Sequence, residues 1–122
     1  GFYKEVTISV TKEGISGAEE IKKIMDNIRN NPPAKLGKYN VIEFRDYKKE
    51  IIKKLQTGAE EKTTLPNSNV LYFDLEDSAW CAVRPSGTEP KIKFYIGVRE
   101  NTMEEAEKSL EELAEIAKKL GQ

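Results

Sequence analysis

The chain has no histidine and only one cysteine, Cys81, among its 122 residues. Without histidine it lacks the side chain that most often serves as a general base at neutral pH and as a metal ligand. A single cysteine cannot form an internal disulfide, and this usage is typical of a reducing, cytoplasmic setting. Because Cys81 lies within an apolar run, we expect a buried, inert thiol rather than a nucleophile.

Long apolar runs and an excess of one charge are also missing. No run approaches the roughly 20 residues that a membrane-spanning helix needs, and no signal-peptide pattern is found. Twenty basic residues against 21 acidic ones give a net charge of −1, whereas a general nucleic-acid binder usually shows a basic face. We therefore expect neither a membrane nor a nucleic acid as partner. The length fits one domain, and the abrupt, structured-looking start suggests a chain cut from a longer protein.

Two amphipathic helices are predicted, one near each end of the chain. Ser16 with Glu19 forms a capping box before the first, which has to end near two successive prolines. Thr102 with Glu105 forms a second capping box before the last helix, and Gly121 is a suitable C-terminal stop. Apolar residues follow both boxes at helical spacing, as expected for helices that pack on one side.

Polar and apolar residues alternate in most of the remaining chain, which indicates half-buried strands. The predicted strands are residues 3–11, 41–44, 70–75, 79–83 and 91–98. Residues 76–78 are short and polar enough for a hairpin turn. Residues 47–68 are predicted to be an irregular or partly helical loop, in which Ile51, Ile52 and Leu55 would line a short helix. This order predicts a two-layer α+β domain, a mainly antiparallel sheet with two helices on one face.

Residues 84–90 read Arg-Pro-Ser-Gly-Thr-Glu-Pro and differ from the scaffold around them. Arg84 offers a planar fork that can meet two phosphate oxygens at once. Ser86 and Thr88 add hydroxyl donors, and Gly87 is expected to take a positive φ so that successive amides form an anion nest. Prolines at both ends stiffen the loop and lower the entropy lost on binding. These residue types predict a phosphate-binding site.

Two charged neighbours qualify this prediction. Lys93 lies on the same side of the following strand as Lys91, and it would add a positive charge if that side faces the loop. The Glu89 carboxylate would repel a phosphate, so we expect it to point away or to pair with a neighbouring cation.

A simpler interpretation stays open, in which the loop is rich in Pro, Gly and Ser only because it is a turn. It is not a Walker loop, since it lacks the Gly-Lys-Ser/Thr ending and leads into a strand. No Asp-rich metal cluster and no nucleophile–base pair accompany it. The sequence therefore predicts binding, and it predicts no catalytic residue and no metal ligand.

Residues 84–96, Arg-Pro-Ser-Gly-Thr-Glu-Pro-Lys-Ile-Lys-Phe-Tyr-Ile, resemble the phosphate-binding loop and exit strand of the α-D-phosphohexomutases, the phosphoglucomutase and phosphomannomutase enzymes. The likeness extends to the preceding Ser78-Ala79-Trp80 and to Met25 with Arg29-Asn30-Asn31-Pro32-Pro33. It covers most of the chain. Within that family this chain resembles the fourth, C-terminal domain, which has a TATA-binding-protein-like fold.

The resemblance implies a substrate-phosphate-binding role for Arg84, Ser86, Gly87 and Thr88, and for Lys93, where some relatives have an arginine. It also implies a parent enzyme that interconverts hexose 1-phosphate and hexose 6-phosphate of glucose or mannose, through a phosphoserine and a bisphosphorylated sugar. Mg²⁺ would be bound by one of the other three domains. The serine, metal and sugar-reading loops of the family are absent, so residues 1–122 alone are expected to be inactive.

Two other functions are compatible with such a domain. The chain could be a stand-alone α+β regulatory module that senses a phosphorylated ligand. Nucleic-acid binding is suggested only by the TATA-binding-like fold of the family, and the charge balance argues against it.

Overall fold

A computed structural model describes all 122 residues. It contains eight strands and two α-helices. In chain order these are β1 (Phe2–Thr11), α1 (Gly17–Asn30), β2 (Lys35–Leu36), β3 (Tyr39–Asp46), β4 (Ile51–Lys54), β5 (Glu60–Lys62), β6 (Leu71–Leu75), β7 (Trp80–Pro85), β8 (Lys91–Glu100) and α2 (Met103–Leu120). Neither helix has the length and apolar character needed to cross a bilayer.

The strands form one open sheet in the order β1-β8-β7-β6-β3-β4-β5, and β2 pairs with the start of β3. Every pairing is antiparallel. Both helices contribute buried side chains to the same hydrophobic core as the central strands, so they form a second layer on one face. The predicted two-layer α+β class is confirmed.

Alternation along the strands separates a helix-covered face from an open face. In β8 the side chains of Ile92, Phe94, Ile96 and Val98 are at most 1% exposed. Burying a side chain of this kind stabilises the fold by about 1.5–3 kcal/mol. Successive strand residues point to opposite faces, so the residues between these four lie on the open face. Burial of these four side chains therefore places the residues between them, including those next to the loop, on the open face.

The prediction for residues 47–68 was wrong about a short helix. Ile51 and Ile52 instead belong to β4, where they pair with Asp46 and Arg45 of β3. Glu50 has φ 60° and reverses the chain just before β4. Branched side chains favour strands, and pairing with β3 satisfies backbone groups that a helix in this segment would leave unpaired on that strand.

The two predicted capping boxes differ in outcome. Glu105 donates its amide to Thr102 Oγ1 at 3.1 Å, which confirms the cap of α2. Ser16 makes no side-chain cap of α1 and has φ −87° and ψ 5° rather than an extended backbone. A tight turn explains this, because the amide of Gly17 donates to the carbonyl of Gly14 at 3.2 Å.

Residues 76–79 form a tight turn in which Asp77 and Ser78 both have positive φ and the amide of Ala79 donates to the carbonyl of Glu76 at 3.1 Å. It joins the antiparallel strands β6 and β7, as predicted for a hairpin.

Candidate functional site

The candidate loop, residues 86–90, joins β7 to β8 at the ends of these two interior strands of the sheet. Its base is closed by the amide of Ser86, which donates to the carbonyl of Lys91 at 2.9 Å. Below that bond Arg84 of β7 lies directly opposite Lys93 of β8. Cross-strand partners project on the same face, and here it is the open face. The structure therefore brings the two predicted cations together, next to the loop.

Arg84 lies with its guanidinium carbon 5.6 Å from the centre of the Tyr95 ring. Such a cation–π contact holds the guanidinium while leaving its N–H edge free to donate. The salt bridges of the chain involve neither Arg84 nor Lys93. Both positive charges thus remain available to an anion. Tyr95 was not among the predicted site residues, although its place on the same strand face as Lys93 was a signal for it.

Ser86 organises the backbone of the loop. Its Oγ accepts the amides of Thr88 at 3.4 Å and Glu89 at 3.3 Å. The Ser86 hydroxyl proton is left to donate to a ligand. The amide of Gly87 has no acceptor within the chain. The loop therefore offers an amide and hydroxyls at its tip, rather than a run of inward-pointing amides.

Gly87 does not have the positive φ that was predicted; the glycines with positive φ are Gly14, Gly37 and Gly58. A Cβ atom built on Gly87 would have no heavy atom within 4 Å. The turn is formed instead by the hydrogen bonds to Ser86 Oγ, which do not require left-handed backbone. Open space in front of Gly87 is the feature that a ligand could use.

Glu89 pairs with Lys91, whose Nζ lies 3.3 Å from Glu89 Oε2. This confirms that the acidic residue of the loop finds a neighbouring cation. The Glu89 carboxylate is therefore neutralised locally, which reduces its repulsion of an anion at the loop.

Other candidate chemistry is absent around the loop. Burial raises the pKa of the Cys81 thiol to about 12, so the thiol stays protonated at neutral pH and is a poor nucleophile. No group of three or more Cys, Asp or Glu side chains is placed to hold a metal ion. The exposed loop, with Arg84 and Lys93 beside it, is therefore the candidate site of this chain.

The fold and the loop define a two-layer α+β domain with an exposed, cationic hairpin loop. A family model described as "Phosphoglucomutase/phosphomannomutase, C-terminal domain" matches residues 6–120. The chain belongs to this family.

Named relatives agree with that membership. A phosphoglucomutase of Staphylococcus saprophyticus is 35% identical over 111 residues, which are 91% of this chain and 20% of the relative. A protein of Haemophilus influenzae named probable phosphomannomutase is 36% identical over 115 residues, 94% of this chain and 20% of the relative. A phosphoglucomutase of Staphylococcus haemolyticus is 34% identical over 112 residues. The chain thus spans about one fifth of the length of these relatives.

Proposed function

We propose that this chain is the C-terminal domain of a phosphohexomutase and that its β7–β8 loop holds a phosphate group of the sugar substrate. The observation that carries the proposal is the pair of unbridged cations, Arg84 and Lys93, beside the hydroxyls of Ser86 and Thr88. A sugar phosphate carries up to two negative charges and accepts several hydrogen bonds. Each charge-assisted bond to it is worth about 1.5–3 kcal/mol.

The parent enzyme would interconvert hexose 1-phosphate and hexose 6-phosphate through a phosphoserine and a bisphosphorylated sugar. The loop would hold the phosphate that is not being transferred, so it orients the sugar and needs no base or nucleophile of its own. Mg²⁺ would be bound by another domain, since the residues here include no cluster that fits it. The match to the C-terminal domain of phosphoglucomutases and phosphomannomutases, and the relatives that carry those names, favour this role over a stand-alone sensor module.

The exposure of the loop supports a shared site. Arg84, Gly87 and Thr88 are all exposed to solvent, whereas tight ligand sites bury most of the ligand. A phosphate on this surface would be contacted from one side only. The domain therefore acts as one wall of a cleft, and the other domains would supply the rest.

Titration of the 122-residue chain with inorganic phosphate and with glucose 1-phosphate, followed by amide NMR, tests this proposal. We expect the signals of residues 86–88 to shift before any others. Affinity should be in the millimolar range, about −4 kcal/mol, because the contacts come from one side.

Arg84→Ala and Arg99→Ala make a matched pair for this titration. Arg99 also stacks on a tyrosine, with its guanidinium carbon 5.8 Å from the Tyr3 ring, but it lies at the far end of β8. Arg84→Ala should abolish the shifts and Arg99→Ala should leave them unchanged. Shifts confined to other regions, or equal loss in both variants, would contradict the proposal.

A further inference from the structure

The turn between β1 and α1 lies directly against the end of the candidate loop. We call residues 12–17 the β1–α1 corner. The amide of Lys12 donates to the carbonyl of Pro90 at 2.9 Å. This bond extends the pairing of β1 with β8, which includes Thr11 opposite Lys91, by one residue into the loop. The loop is therefore fixed at its C-terminal end by a segment remote in sequence.

Gly17 is the closest point of this contact. It is buried and is the first residue of α1. A Cβ atom on Gly17 would lie 2.2 Å from the carbonyl oxygen of Lys12 and 3.0 Å from Cβ of Pro90. Gly17 is not among the residues with positive φ, so its own backbone does not require glycine. The neighbours require it, because a side chain would displace the Lys12 carbonyl within the corner and would also press on Pro90 of the loop.

We propose that Gly17 is a positioning residue for the β7–β8 loop, acting through Lys12 and Pro90; this inference rests on the proposed phosphate-holding function. Helix α1 cannot retreat freely, since Ile21, Met25 and other residues of its inner face are buried in the core. A side chain at position 17 would therefore displace Lys12 and Pro90.

That displacement would reach the ligand-facing residues through the backbone. Pro90 immediately precedes Lys91, whose carbonyl accepts the amide of Ser86 and whose amide donates to the carbonyl of Glu89. Ser86 in turn holds the amides of Thr88 and Glu89. A shift of about 1 Å in groups that position a substrate can reduce activity by about 100-fold. The close packing of Pro90 against Gly17 thus controls the geometry of the loop.

Gly97 provides a matched control in the same chain. It is also buried and also lacks a positive φ. A Cβ atom there would lie 2.2 Å from Nε1 of Trp80. Gly97 pairs with Trp80 and Glu5, further along β8 from the loop. Gly97→Ala therefore introduces an overlap at the same distance, with side chains rather than with a backbone carbonyl, and it does not touch the corner.

The test compares Gly17→Ala with Gly97→Ala in the 122-residue chain. Amide NMR of the ligand-free proteins gives the loop geometry, titration with inorganic phosphate gives Kd, and thermal unfolding gives Tm. We expect Gly17→Ala to shift the signals of residues 86–88 and to raise Kd roughly tenfold or more. Gly97→Ala should lower Tm but leave the loop signals and Kd unchanged. Unchanged loop signals in a folded Gly17→Ala variant would overturn the inference.

A second variant keeps the test decisive if Gly17→Ala does not fold. Lys12→Pro removes the amide that donates to Pro90 and leaves Gly17 in place. It should also shift the loop signals and raise Kd, and a wild-type loop in Lys12→Pro would overturn the link between corner and loop. If the wild-type chain binds no phosphate, the proposed function fails, whereas the ligand-free spectra still decide the role of Gly17.

Discussion

At the scale of single residues, Gly87 shows how the loop can serve a ligand. No heavy atom lies within 4 Å of a Cβ built on it, and its φ is not positive. The fold therefore gives no reason for glycine at this position. A ligand that approaches the Gly87 backbone closely would give one, because its amide has no acceptor in the chain.

Gly87→Ala should accordingly separate binding from stability. Alanine fits the backbone and restricts the unfolded chain, so the free energy of unfolding should stay the same or rise by about 0.4–1 kcal/mol. The added methyl group would occupy the space that the phosphate needs, so Kd for inorganic phosphate should rise. Thermal unfolding and NMR titration measure the two effects.

Gly58→Ala is the contrasting variant. A Cβ on Gly58 would also meet open space, but Gly58 has φ +74°. Alanine there should lower the free energy of unfolding by about 1 kcal/mol through backbone strain and should leave phosphate binding unchanged. Equal phosphate affinity in Gly87→Ala and in the wild type would show that no ligand approaches Gly87.

The residue types of the loop were enough to predict its cations and hydroxyls, but not its backbone. Arg84 and Lys93 could be placed together because alternation along two paired strands fixes their face. The φ of Gly87 could not be read from the sequence, because the hydrogen bonds to Ser86 Oγ provide another way to close the turn. Gly17 supports the loop through its contact with Pro90, and these two residues lie more than 70 positions apart in the sequence.

At the scale of elements, a cluster around Glu100 joins the end of β8 to β3 and α2. Its carboxylate, in a side chain only 11% exposed, accepts bonds from Lys38 Nζ at 2.7 Å, from Ser109 Oγ at 2.9 Å and from the Tyr39 hydroxyl. Burial by itself would raise the pKa of Glu100, but the hydrogen bonds from these three side chains outweigh it and hold the pKa below its usual value of 4.5.

This cluster predicts a pH-dependent difference between Glu100→Gln and the wild type. A carboxylate with a lowered pKa in the folded state stabilises the fold above its unfolded pKa, and that stability is lost as pH falls through the folded pKa. Glu100→Gln should therefore cost about 1–2 kcal/mol at pH 7. The difference should shrink as pH falls below about 4.5. Urea unfolding at several pH values measures it.

Glu107→Gln is the control for this experiment, since the Glu107 pair with Lys4 is largely exposed. Exposed pairs contribute little, about 0–1 kcal/mol. A Glu100→Gln cost that stays constant from pH 7 to pH 3 would contradict the role assigned to the carboxylate.

The longer strands were predictable from their pattern, and the shortest ones were not. Strands β1 and β8 are ten residues long, and the alternation of polar and apolar residues along them was sufficient to predict them as strands. The short strands β4 and β5, of four and three residues, carry too little pattern. They exist because β3 offers an edge with which β4 can pair, and a local reading of residues 47–68 does not include that edge.

At the scale of the whole molecule, the helices cover one face of the sheet, and the cationic loop lies where β7 ends and β8 begins, reachable from the open face. Such a domain can present a phosphate site to neighbouring domains while its own core remains closed. We propose that this domain holds the phosphate and that the other domains of the proposed parent carry out the chemistry.

The most direct test measures kcat/KM of Arg84→Ala and Arg99→Ala in the full-length phosphohexomutase that we propose as the parent. Loss of charge-assisted bonds worth about 1.5–3 kcal/mol should lower kcat/KM of Arg84→Ala by about 10- to 150-fold. Arg99→Ala should remain within about twofold of the wild type, since Arg99 lies at the far end of β8. An unchanged kcat/KM for Arg84→Ala would contradict the claim that this loop holds the substrate phosphate.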